Sequence, residues 1–170
     1  MRQPIDEGAG RPGTLRFRRM RQEDLTRVVE IEKDGFRHPW SRELLERELA
    51  HTWSTVLLAV DEGDGGERAA GASPGRILGF VVFWLVHDEL HILNIASAVE
   101  ARRRGIGRAL MLEASAAARA RGAALSTLEV RRSNAPAIAL YLSLDYRQVG
   151  IRPNYYADEG EDAIVMVKEL

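Results

Sequence analysis

The chain of 170 residues has no cysteine. That excludes disulfides, thiolate metal sites and a cysteine acyl-enzyme, and it suits a reducing cytoplasm. The histidines are His38, His51, His87 and His91, and no pair has ligand spacing such as His-Glu-x-x-His, so no metal is expected. No charge of one sign dominates: the net charge is −1, which argues against a direct nucleic-acid partner. Long hydrophobic runs are missing too. The longest, Ile77 to Val86, is broken only by Gly79. It reaches about half of the ~20 residues a spanning helix needs, so no membrane partner is expected. Ser97 and Ser115 lack the glycine setting of a nucleophile elbow, which excludes that hydrolase class. The first residues, 1–13, are rich in Gly, Pro and charge without an apolar centre. They read as a disordered tail, not a signal peptide.

The remaining residues, 14–170, have the length and composition of a single globular domain, with 45% hydrophobic and 29% charged residues over the whole chain. Alternation predicts strands at Thr14 to Met20, Ser54 to Val60 and Ala124 to Val130. A nearly unbroken apolar stretch, Arg76 to Val86, predicts a central strand covered on both faces, with Leu90 to Ser97 pairing beside it. Helical spacing marks Gln22 to Lys33, Ser41 to Ala50 and Gly105 to Arg121. In the second of these, Leu44, Leu45 and Leu49 should face in, and Glu43, Glu46 and Glu48 out. A short helix capped by Ser133 follows, with Pro136 in its first turn and Ile138, Tyr141 and Leu142 on one face. Two last strands, Tyr146 to Ile151 and Ala163 to Lys168, flank a loop from Pro153 to Asp162. The order implies an α/β mixed sheet, mostly antiparallel, of about seven strands with about four helices on both faces. The strands ending near Ser97 and Glu129 should be parallel neighbours in its middle, and a ligand should bind at their carboxyl ends.

Three features carry chemistry. Arg102-Arg103-Arg104-Gly105-Ile106-Gly107-Arg108 opens the longest helix directly after a strand. Free amides and the helix dipole at such a start can hold a phosphate, and glycines let oxygens come close. The same arginines could equally form a solvated face. No Gly-Lys-Ser/Thr follows and no third glycine is present, so neither a Walker loop nor a dinucleotide fingerprint is met. Glu129 ends an apolar strand. It either pairs with Arg131 or Arg132, or acts as a general base that removes a proton from an amine. An α-amine of pKa ~8 needs less help than a lysine amine of ~10.4. Tyr141 is either a core aromatic or a phenol able to protonate a departing thiolate. The acidic run Asp158, Glu159, Glu161 and Asp162 is either a solvated loop or an attractor for a basic peptide.

Together these residues resemble the GNAT family of acetyl-CoA-dependent N-acetyltransferases. Arg102-Arg103-Arg104-Gly105-Ile106-Gly107 matches the family's Gln/Arg-x-x-Gly-x-Gly/Ala signature, and the likeness spans Leu15 to Lys168. Pro39-Trp40-Ser41, Asn94-Ile95-Ala96, Leu128-Glu129-Val130-Arg131 and Arg152-x-Asn154-Tyr155-Tyr156 are similar to the bacterial branch that acetylates the N-terminal alanine of a small-subunit ribosomal protein. So are Ser133-Asn134, Ala137 to Tyr141 and Glu161 to Met166.

The resemblance implies a central parallel strand pair splayed by a bulge. Glu129 would be the general base and Tyr141 the general acid. Ile95, Ala96 and Ser97 would pair with the pantetheine arm; Arg103, Arg104, Gly105, Ile106, Gly107 and Arg108 would hold the pyrophosphate; Asn134 would add a further contact. Pro39, Trp40, Tyr155 and Tyr156 would wall the peptide in loops. It implies acetyl-CoA as co-substrate, a protein N-terminus as partner and a cytoplasmic location. Another amine, such as a protein lysine, a polyamine or a drug, and a non-catalytic acetyl-CoA sensor remain open. The chain departs from the family pattern at Ser97-Ala98-Val99, Ala101, His38, Asp145 and the glycine-rich insertion Asp61 to Gly75.

Overall fold

The computed structural model describes residues 15–63 and 75–170. The predicted tail, 1–13, and the body of the glycine-rich insertion, 64–74, lie outside the described residues. The strands are β1 (Leu15–Arg19), β2 (Ser54–Asp61), β3 (Arg76–Val86), β4 (Glu89–Ser97), β5 (Leu125–Arg131), β6 (Arg147–Tyr156) and β7 (Glu161–Glu169). The α-helices are α1 (Leu25–Gly35), α2 (Arg42–Ala50), α3 (Ile106–Arg119) and α4 (Ala135–Leu142). A short 3-10 turn, Gln22–Asp24, precedes α1 where one continuous helix was expected.

All seven strands form one sheet in the order β1-β2-β3-β4-β5-β7-β6. β4 and β5 run parallel, and the other neighbours antiparallel. β3 is buried from Ile77 to Phe83, because α1 and α3 both pack on β3 and β4. Its apolar residues therefore find cover on both faces, as the unbroken run predicts. Phe80, Leu90, Leu110 and Leu128 meet in one core.

The feature that positions the site is a gap. β4 and β5 pair only from Glu89↔Leu125 to Ile92↔Leu128. β3 pairs Phe83 with Ile92 and Val82 with Asn94, so Leu93 is an extra residue on β4. Such a bulge bends its strand and ends pairing. Beyond it β4 stays on β3 and β5 stays on β7, and the two parallel strands part. At the far end of this segment Gly79 is required: a Cβ there would lie 2.7 Å from the carbonyl oxygen of Ala96 and 3.0 Å from Cγ2 of Ile106.

Four local expectations are corrected. Glu48 faces in, not out: it is 5% exposed and accepts from the Ser54 hydroxyl at 2.6 Å and the Trp84 indole at 2.7 Å. The buried carboxylate thus receives charge-assisted bonds that offset its desolvation. Asn134, not Ser133, caps α4, accepting from the amide of Ala137 at 3.2 Å. Leu142 is 55% exposed, so Ile138 and Tyr141 face in without it. Much of the predicted loop from Pro153 to Asp162 is strand: β6 runs through Tyr155 and Tyr156 and pairs Tyr156 with Glu161. The ladder is interrupted between Arg152↔Ala163 and Tyr156↔Glu161, where Pro153 to Tyr155 bulge; Asn154 takes φ of 50° there and its amide donates to the Asp162 carboxylate at 3.0 Å, and an edge strand tolerates the proline.

Candidate active site

A cavity of about 820 Å³ lies between the far end of β4, the start of α3 and the face of α4. Its lining includes Ile95, Ala96 and Ser97 from β4 and Asn134 from the α4 cap. Arg103, Gly105, Ile106, Gly107 and Arg108 complete the predicted set. Arg104 is exposed and does not line it.

The turn before α3 explains how this sequence makes a cradle. Arg103 and Gly105 both have positive φ, 62° and 77°. Glycine takes this conformation freely, while arginine does so at a cost met by the surrounding structure. The backbone therefore reverses within a few residues, and Gly105 becomes the N-cap of α3 without a side chain in the way. The amides of Gly105, Ile106, Gly107 and Arg108 have no backbone acceptor among the described residues. They and the helix dipole point positive charge at the cavity.

Side chains brace the cradle. Arg102 donates to the carbonyl of Asp34 at 2.9 Å, and Arg108 donates to the Ser143 hydroxyl at 3.1 Å. Arg103 and Arg104 have no ion-pair partner among the described residues, which leaves their charge available. Ile106 is 4% exposed, so only its backbone can serve a ligand. Orphan amides, two Cβ-free positions and free arginines together fit a diphosphate.

A second cavity, about 180 Å³, adjoins the first and lies between the parted strands, lined by Ile92 to Ile95 of β4 and Leu128 to Arg131 of β5. Phe36, Ile95, Asn134, Ala137 and Tyr141 line both. Glu129 and Tyr141 line this second cavity, as do Trp40 and Tyr156. Pro39 and Tyr155 do not: both are exposed, and Tyr155 stacks edge-on against Tyr156 at 5.1 Å.

Tyr141 is 5% exposed, and burial raises its pKa above that of an ordinary phenol. Its hydroxyl has no hydrogen-bond partner among the described residues, and it is not sealed from solvent. The oxygen is therefore neutral at physiological pH and free for a ligand. Glu129 pairs with neither Arg131 nor Arg132. Its Oε1 lies 3.1 Å from Nε of Arg152, which reaches over from β6. Arg131 instead meets Asp158 at 2.9 Å, Glu161 at 3.3 Å and Glu159 at 3.4 Å, with its guanidinium 4.0 Å from the Tyr156 ring centre. Arg37 and His38 also contact Glu159, at 2.7 and 3.4 Å, and Arg132 pairs with Asp162 at 3.6 Å. Much of the acidic run is thus paired with the chain's own arginines, which favours its reading as a surface loop over that of an attractor for a basic peptide.

Sequence reasoning passed over Glu32 and gave Asn94 no role beyond its place in the Asn94-Ile95-Ala96 block, yet both line the second cavity. Glu32 is 1% exposed and accepts from the Trp40 amide at 2.9 Å and from Nδ2 of Asn94 at 3.0 Å. Burial raises its pKa, against the lowering effect of those two bonds. A signal was there. Glu32 continues the i, i+3, i+4, i+7 stripe of Leu25, Val28 and Val29, the inward face of α1. Among the described residues no group of His, Asp or Glu is placed to hold a metal, and no helix is long and apolar enough to cross a membrane.

The sequence pattern described as Acetyltransferase (GNAT) family matches residues 25–146. The [ribosomal protein bS18]-alanine N-acetyltransferase of Escherichia coli (strain K12) is 38% identical over 130 residues, 75% of this chain and 88% of that protein. That of Salmonella typhimurium is 34% identical over 145 residues, 84% of this chain and 89% of its own length. The crystal structure of the ribosomal-protein-S18-alanine N-acetyltransferase from Escherichia coli superposes with a TM-score of 0.77 at 31% identity, covering 92% of this chain and 94% of that one.

Proposed function

We propose that this chain, which belongs to the GNAT family of acetyltransferases, acetylates the N-terminal alanine of a small-subunit ribosomal protein, S18, in the cytoplasm, with acetyl-CoA as donor. One observation carries the reading. Two cavities meet at Tyr141; one begins at orphan helix amides, and the other holds the carboxylate of Glu129. Relatives named for S18 alanine acetylation cover most of the chain and support the substrate.

Acetyl-CoA, when bound, supplies the acetyl thioester. The amides of Gly105 to Arg108, with Arg103, take the diphosphate. Asn134 spends its Oδ1 on the Ala137 amide and keeps its Nδ2 for a contact. Residues 93–97 of β4 have no partner on β5 and offer backbone groups to the pantetheine arm and the thioester carbonyl. A backbone N–H aimed at that oxygen stabilises the negative charge that develops there, an electrostatic effect of the kind that often dominates catalysis.

The acceptor enters the smaller cavity as an ammonium. Glu129, directly or through a water, takes one proton, and the amine lone pair attacks the carbonyl carbon. A C–N bond forms, the nitrogen and then Glu129 each give up a proton to solvent, and the C–S bond breaks. The departing thiolate takes the proton of Tyr141, which solvent restores. Burial keeps Tyr141 protonated, so its proton is in place when the thiolate departs.

The test is acetylation of a synthetic peptide with the S18 N-terminal sequence, with mass mapping of the product. Acetyl on the α-amine of the first alanine supports the reading. A version that retains the initiator methionine should react poorly. Acetyl found on lysine Nε, or coenzyme A bound without transfer to any peptide, defeats it.

A further inference from the structure

Glu32 has no role in the mechanism above, yet its environment is costly. The carboxylate is 1% exposed and has no cationic partner among the described residues. Burying an unpaired carboxylate is expensive even when it is hydrogen-bonded, and a leucine would serve packing better. Its two oxygens are used on two different elements. Oε1 accepts from the backbone amide of Trp40, in the segment between α1 and α2. Oε2 accepts from Nδ2 of Asn94, one residue past the bulge that parts β4 from β5. Asn94 is itself 8% exposed, and its Nδ2 has no other acceptor among the described residues. All three residues line the cavity that holds Glu129. One carboxylate therefore joins a wall of the acceptor cavity to the strand that lines the donor cavity.

We propose that Glu32 is a positioning residue for acetyl transfer: it clamps the Trp40 wall to the bulged strand at Asn94, and so sets the distance between the acceptor amine and the thioester. This rests on the acetyltransferase reading above. A carboxylate suits the task because it accepts two bonds at once in a fixed plane. A loosened wall lets the amine sit off line, and misplacement of about 1 Å costs on the order of 10²-fold in rate.

The test uses Glu32→Ala, Glu32→Gln and Asn94→Ala in the full chain. Glu32→Ala should raise the peptide KM about ten-fold and lower kcat, with coenzyme A affinity by calorimetry held within about two-fold. Glu32→Gln should recover most of both, because its amide oxygen still accepts from Trp40 and its NH₂ can pair with a rotated Asn94 amide. Equal losses in the alanine and glutamine variants would mean that the negative charge itself acts, and would overturn the proposal. So would a lower melting temperature with unchanged KM and kcat. Should Glu32→Ala fail to fold, Asn94→Ala cuts the same clamp at one end and must show the same KM-weighted loss. Amide hydrogen exchange over residues 36–41 and 93–97 reads the clamp without any turnover. Faster exchange in both segments of the variant supports it, and unchanged exchange in either defeats it. A wild type that fails to acetylate the peptide defeats the functional reading instead, and leaves the clamp to the exchange result.

Discussion

Nε of Arg152, on β6, lies 3.1 Å from Oε1 of Glu129, on β5, across the intervening strand β7. The pair links an exposed arginine to a carboxylate in the smaller cavity. It holds one oxygen of Glu129 and leaves the other for an amine or a water. The expected consequence is a graded loss. Glu129→Gln should lower kcat by about 10²-fold, the usual worth of a general base. Arg152→Ala keeps the carboxylate but frees its orientation, and should lower kcat by about ten-fold or less. Arg152 is largely exposed, so its removal should change unfolding free energy by under ~1 kcal/mol in urea titration. If Arg152→Ala matches Glu129→Gln in kcat, orientation is not what the arginine supplies.

Tyr141→Phe should reduce kcat by about 10²-fold while coenzyme A affinity stays within about two-fold. The ring remains to pack, and only the hydroxyl, the proposed proton donor, is lost. The raised pKa also has a stability consequence, shared by Tyr146 and by Tyr156, whose pKa burial pushes up to about 12. Phenols titrating later in the folded state than in the unfolded chain favour folding below pH ~10. That contribution is lost as pH rises through their folded values. Thermal melts should therefore fall steeply above pH ~10, and less steeply in Tyr141→Phe.

Asp24 accepts from Arg18 at 2.6 and 2.7 Å and from the Arg21 amide at 2.8 Å. Burial alone would raise its pKa, but these bonds outweigh it and lower the pKa. Asp24→Asn should cost about 2 kcal/mol at neutral pH. Because the folded pKa is depressed, the stabilisation is present above pH ~3.9 and is lost as pH falls through the folded value. Buried Glu32 has the opposite sign, its raised pKa favouring the folded state in acid. The gap between wild type and Asp24→Asn in chemical denaturation should thus close on acidification; a constant gap would refute the assignment.

Gly105 and Gly107 should respond differently to alanine. Gly105 has φ of 77°, so Gly105→Ala strains the backbone and should cost about 1 kcal/mol along with cofactor affinity. A Cβ at Gly107 meets only Leu140 Cδ2 at 3.4 Å and Ile95 Cδ1 at 4.0 Å. The fold admits it, but it stands where oxygens must approach the backbone. Gly107→Ala should keep its melting temperature within a few degrees and bind coenzyme A about ten-fold more weakly by calorimetry.

Much of this was legible from local pattern. The apolar run of β3, the alternation of β5 and the glycine-arginine turn each depend on residues near in sequence, and each stands where the pattern put it. Asp145, where the family has glycine, does take φ of 68°. The failures were pairings. Arg131 sits two residues from Glu129 and was the natural partner on paper. The hairpin of β6 and β7 brings the acids of its turn to Arg131 and delivers Arg152 to Glu129. Asn134 took the cap that Ser133 was expected to hold. Glu32 followed the inward stripe of α1, but what it would meet there was invisible in one dimension.

The residues alone determined most of the helices and strands, the tyrosine-bearing end of β6 excepted, where the glycine-arginine turn opens the long helix, and that the strands before it and through Glu129 lie side by side. These follow from periodicity, turn chemistry and chain order, which act over a few residues. Only the tertiary structure decided which charges neutralise one another, which oxygens stay free and how the two cavities join. Those outcomes depend on which strands become neighbours and where the Leu93 bulge parts them, and no short stretch of sequence encodes that.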